Sequence, residues 1–73
     1  MEFDLMELKA QRIRSDKTQA EVANYLGIRP VTYTKKENGN IKITMEEFEK
    51  ICNFLKVKDI TIFFKNSVDK KLQ

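Results

Sequence analysis

Histidine and tryptophan are absent, and cysteine and proline occur once each. A lone Cys52 excludes an internal disulfide, and without histidine the common cysteine and histidine zinc sites cannot be built. A reducing cytoplasm is therefore the expected setting, and no metal or other cofactor is expected. No apolar run approaches the roughly 18 residues that would suggest a membrane span. Residues 1–16 lack the basic start and continuous apolar stretch of a secretory signal. No membrane partner is expected. Catalytic machinery is also missing: there is no histidine, no phosphate-binding glycine loop and no recognisable carboxylate pair, so the chain does not read as an enzyme.

What is present describes a small helical globule. Of 73 residues, 41% are hydrophobic and 34% charged, with only two glycines. That is enough apolar material for one core and too little for two. One domain is predicted over residues 1–64, followed by a polar tail, 65–73, expected to fray. The net charge of +3 is mild, and its distribution says more than its sum. Lys17, Arg29, Lys35, Lys36 and Lys42 make the middle basic, whereas Glu46, Glu47 and Glu49 make the next segment acidic.

Local signals divide the chain into helices. Asp4 can cap a first helix running to about Ser15, with Leu5, Leu8, Arg12 and Ile13 near one face. Thr18 and Glu21 form a capping box that opens a second helix, whose apolar stripe is Val22, Ala23 and Leu26. Gly27 can supply the positive φ that ends it. Pro30 suits the first position of a third helix, about Pro30 to Glu37, with Arg29 at the cap. Asn38-Gly39-Asn40 stops that helix. Thr44 and Glu47 then make a second capping box for a fourth, with Phe48, Ile51, Cys52 and Leu55 as its core stripe. Cys52 belongs to that stripe and reads as packing, not as a nucleophile. Residues 59–64 are compatible with a short helix capped by Asp59 or with a strand. Among four helices, a fifth is the preferred reading.

The third helix is short of apolar residues. Tyr33 and Glu37 share one side, while Val31, Thr34, Lys35 and Asn38 share the other at spacings of three and four. Two helices joined by a tight turn, the second polar and basic on one face, describe a helix-turn-helix that presents its second helix to a DNA groove.

Thr18-Gln19, Val22-Ala23, Leu26-Gly27-Ile28, Tyr33 and Glu37-Asn38-Gly39, followed by the fourth-helix pattern through Leu55 and Val57, resemble the Cro/CI-type (XRE-type) helix-turn-helix regulators, which include phage repressors. The resemblance spans about Leu5 to Phe63. It implies an all-α, compact five-helix bundle of the lambda-repressor-like DNA-binding type with a central helix-turn-helix. It also implies a sequence-specific regulator of double-stranded DNA, a repressor acting as a homodimer on a palindromic operator. Pro30, Val31, Thr32, Thr34 and Lys35 would meet base edges. Gln19 and Asn38 would meet phosphates, and Arg12 would pair with Glu37 and show an edge to a phosphate. Beside what the resemblance implies, Arg29 next to a helix N-terminus and the basic Lys36 and Lys42 are further phosphate candidates. From the residues themselves, Phe63 and Phe64 cannot both easily face so small a core, so Phe63 is expected inside and Ile60, Ile62 and Phe64 between subunits.

The chain departs from the family pattern at four places. Lys17 and Lys36 stand where apolar residues are usual, and Asp16 and Lys56 where glycines are common. The two lysines could lay their stems on the core or reach phosphates. Two other readings share the residues: an antitoxin or restriction-modification controller of the same fold, the former with a toxin as partner, and a protein-interaction module whose basic face meets an acidic protein.

Overall fold

A computed structural model describes residues 2–65; the expected tail from residue 66 onward, with Lys70 and Lys71, lies outside the described residues. Four α-helices form the domain: α1 (Leu5–Arg14), α2 (Gln19–Leu26), α3 (Pro30–Glu37) and α4 (Met45–Leu55). A two-residue strand precedes them, β1 (Glu2–Phe3), and another closes the described chain, β2 (Phe64–Lys65). The strands pair antiparallel, Glu2 opposite Lys65 and Phe3 opposite Phe64. Among the described residues no helix is long and apolar enough to cross a membrane.

Helix starts follow the capping chemistry. Asp4 accepts from the Glu7 N–H at 3.1 Å. Thr18 with Glu21, and Thr44 with Glu47, form reciprocal boxes at the heads of α2 and α4. All four helices end alike. An amide two or three residues past each end reaches a carbonyl five residues back: Lys17 to Arg12, Ile28 to Ala23, Asn40 to Lys35 and Val57 to Cys52. This closure needs a left-handed residue in each case. Gly27 (φ 77°) and Gly39 (φ 89°) supply two, and Asp16 (φ 60°) and Lys56 (φ 59°) supply the others against their steric preference. The sites where the chain departs from the family's glycines are thus sites where the backbone still adopts a glycine conformation.

Residues 59–64 combine the two alternatives. Instead of a fifth α-helix, Ile60–Phe63 form one 3-10 turn capped by Asp59, and Phe64 then enters β2. Four residues between a cap and a strand leave no room for an α-helical turn that closes and continues. Leu8, Val22, Ala23, Leu26, Tyr33, Phe48, Ile51, Cys52, Leu55 and Phe63 make the core. Burial also pushes the Cys52 thiol pKa up, away from reactivity. Ile13, expected on the inner face of α1, is instead exposed, because Leu5, Leu8 and Arg12 already fill that face.

Phe64 likewise differs from its expected interface role. Phe3, brought in by β1, lies between the two terminal rings, 5.9 Å from Phe63 and 5.6 Å from Phe64, centroid to centroid. Phe48 touches the same cluster at 5.3 Å from Phe3. A fourth ring from the N-terminus therefore accommodates both phenylalanines, leaving Ile60 and Ile62 as the exposed apolar residues of this segment. Beside the cluster runs a half-open groove of about 400 Å³ lined by Phe3, Leu5, Ile41, Phe48 and Phe64 among others.

Replacing Lys56 with glycine removes the left-handed penalty but returns some chain entropy, so stability is expected to rise by about 0.5–1 kcal/mol. Asp16→Gly is expected to gain less, because aspartate tolerates this conformation better. Urea midpoints of the two variants check the ranking; a loss at Lys56 would contradict it.

Candidate nucleic-acid interface

The interface is organised around one carboxylate. Glu37, on the last turn of α3, has a side chain only 1% exposed. Arg12 grips it with both arms of its fork, Nε to Oε2 at 2.9 Å and Nη2 to Oε1 at 3.1 Å. Tyr33 donates its hydroxyl to Oε2 at 2.8 Å, and Gln19 donates Nε2 to Oε1 at 2.9 Å. Burial pushes the Glu37 pKa up, but these hydrogen bonds and the Arg12 charge outweigh it and hold the group below its ordinary value. The Tyr33 hydroxyl moves the opposite way, raised by burial and by the carboxylate it faces. Arg12 also donates Nη1 to the Lys17 carbonyl at 2.8 Å. One charge thus joins α1, the head of α2 and the whole inner side of α3.

The sequence places these partners where they can meet. Tyr33 and Glu37 are one turn apart on α3, and Gln19 is the first residue of α2, aimed across the turn. Thr34 adds a further link, donating its hydroxyl to Gln19 Oε1 at 3.0 Å. Gly27 lets the chain reverse within the turn, and Ile28 packs against the core as it does so.

Outside this network α3 presents a stripe. Pro30, Val31 and Lys35 are exposed, and Val31 is 58% exposed although hydrophobic. Arg29 at its head makes no side-chain cap, unlike Asp4, Thr18 and Thr44. Asn38, Asn40 and Lys42 continue the exposed polar surface beyond its end. Thr34 is half-buried beside Gln19 but lies on the stripe at helical spacing from Pro30, Val31 and Asn38. Thr32, also expected among the base-contacting residues, is half-buried like Thr34.

Two expected phosphate contacts are withdrawn. Arg12 is buried, and each of its nitrogens is engaged within the fold. Lys36 faces inward with Tyr33 and Glu37, its Nζ 3.0 Å from Glu47 Oε1 and donating to the Lys42 carbonyl at 3.0 Å. Its side chain is 9% exposed. Helical spacing dictates this, since position 36 follows Tyr33 by three residues. The pair also ties the end of α3 to the head of α4. Lys17 settles differently, its ammonium 5.1 Å above the Phe54 ring. Sequence reasoning did not find the Lys36–Glu47 and Gln19–Thr34 links; the acidic head of α4 was the available signal for the first. Among the described residues no cluster of acidic, cysteine or histidine groups could hold a metal ion.

A family model described as helix-turn-helix matches residues 8–62. The chain belongs to the XRE-type helix-turn-helix family. XRE-type domains bind double-stranded DNA and serve regulation, so the exposed stripe of α3 belongs to a DNA-binding domain. Comparison with curated proteins and with solved structures gives no match.

Removing one side of the buried XRE-domain pair leaves the other charge uncompensated. Glu37→Ala is expected to cost about 3–5 kcal/mol, which in so small a domain means loss of the folded state. Circular dichroism and urea titration check this. The pH sign follows from the lowered pKa. The ionised Glu37 stabilises the fold fully above its ordinary 4.5, and this contribution disappears as pH falls through the lower folded value. A urea midpoint that stayed constant from pH 7 to pH 3 would contradict the assignment.

Proposed function

We propose that this protein is a homodimeric transcriptional repressor that reads a palindromic operator with α3 in the major groove. The observation that carries the reading is the division of α3 into two faces. One is buried in the Glu37 network; the other offers Pro30, Val31 and Lys35 to solvent. Val31 is suited to a thymine methyl group and Lys35 to guanine O6 and N7. Thr34 sits between them. Gln19 has one amide hydrogen beyond its Glu37 bond and stands at the N-terminus of α2, a position that favours a phosphate. Arg29, Asn38 and Lys42 flank the helix as further phosphate partners.

The domain has one recognition helix, and a two-fold pair of such helices would read half-sites about one DNA turn apart. Ile60 and Ile62, 47% and 38% exposed, are the apolar residues proposed to meet across that axis. Repression would come from occupancy of a promoter.

Salt dependence separates the basic residues. Arg29→Ala and Lys42→Ala are each expected to flatten the slope of log affinity against log salt by about one, as one phosphate contact is lost. Lys36→Met should leave the slope unchanged, and an equal flattening there would contradict the inward placement of Lys36. Lys35→Ala is expected to cost about 1–3 kcal/mol on the preferred site and to relax choice at one base pair. Ile60→Glu should shift sedimentation from dimer toward monomer and weaken operator binding. An unchanged profile would remove Ile60 from the interface.

A further inference from the structure

We infer that Thr34 reads DNA as a hydrogen-bond acceptor only, and so selects an adenine or a cytosine at the base it meets. The inference rests on the reading of α3 as the helix in the groove. Its physical basis is a relay of polarity that begins at Glu37. An ionised carboxylate can only accept, and this one receives Arg12, Tyr33 and Gln19. Gln19 must therefore turn its NH₂ toward Glu37. The planar amide then points Oε1 the other way, where it lies 3.0 Å from Thr34 Oγ1. An amide oxygen has no proton to give, so the threonine hydroxyl is the donor. That uses its only proton.

A surface threonine with no fixed acceptor can turn its hydroxyl either to donate to a base or to accept from one. Here the proton is held sideways, along the surface between α2 and α3, and the lone pairs are what remain for a ligand. In the major groove only adenine N6 and cytosine N4 can donate to them. Guanine O6 and N7 and thymine O4 present acceptors and would face the hydroxyl oxygen without a proton between. Gln19 and Glu37 are positioning residues in this scheme. They touch no base, yet they set which base Thr34 accepts.

The relay makes separable demands on three variants. Duplexes are selected from a random-sequence pool by the full chain and by Thr34→Ser, Thr34→Val and Gln19→Met, each first checked for folding by circular dichroism. Wild type and Thr34→Ser are expected to share an adenine or cytosine preference at one base pair. In Thr34→Val that preference should fall about three- to tenfold, the worth of one neutral hydrogen bond. Gln19→Met frees the proton and should admit guanine or thymine at the same position. Every base pair carries one such amine, on its adenine or its cytosine, so the Thr34-dependent pair is rebuilt with purine for adenine or 2-pyrimidinone for cytosine. Wild type should then lose about three- to tenfold in affinity. An unchanged affinity overturns the inference, as does a Thr34→Val profile unchanged at every position. Either result leaves the DNA-binding reading standing. Absence of any enriched sequence with wild type would instead remove the operator reading and this inference together.

Discussion

The Glu37 carboxylate is the constraint on which the rest of the domain depends. A buried charge is tolerated only when it is paired and its remaining lone pairs are filled. Here that requirement recruits four donor bonds from three side chains, one from each of the first three helices. Satisfying a single carboxylate therefore fixes where α1, α2 and α3 stand relative to one another. Apolar packing alone would hold α3 less specifically, since its only fully buried ring is Tyr33, and the hydroxyl of that ring is itself spent on Glu37.

This explains how a helix with so little apolar surface can sit firmly in the fold. Its inner side is held by directional bonds, so its outer side is free to remain polar and exposed. Lys36 extends the arrangement from the last turn of α3 to Glu47, and its bond to the Lys42 carbonyl shapes the loop that carries Asn40 and Lys42. Among the described residues no buried side-chain polar atom lacks a partner. The interior network is complete, and the polar side chains of α3 outside it, Thr34 and Lys35 among them, lie on the stripe that faces solvent.

Much of this was legible in the sequence, for definite reasons. Capping boxes at Thr18 and Thr44, the proline at the head of α3 and glycine at its turn are local signals, and the helices begin and end where those signals place them. The Arg12–Glu37 pair came from family resemblance, because nothing local links residues 25 positions apart. Position 36 was misread because a lysine suggests solvent, whereas its spacing from Tyr33 turns it inward and Glu47 receives it. Phe64 was misread because the partner that accommodates it, Phe3, lies at the other end of the chain. The ambiguity of residues 59–64 was real, since the segment holds a 3-10 turn and a strand in succession.

The most direct test of the account is an amide chemical-shift map of the isotope-labelled protein titrated with duplex DNA at low salt. The account expects changes at Gln19, through Arg29 to Lys35, and over Asn38 to Lys42, with the Tyr33, Glu37 and Arg12 network kept intact. Changes gathered instead around the Phe3, Ile41 and Phe64 groove, or no changes at any residue, would contradict it.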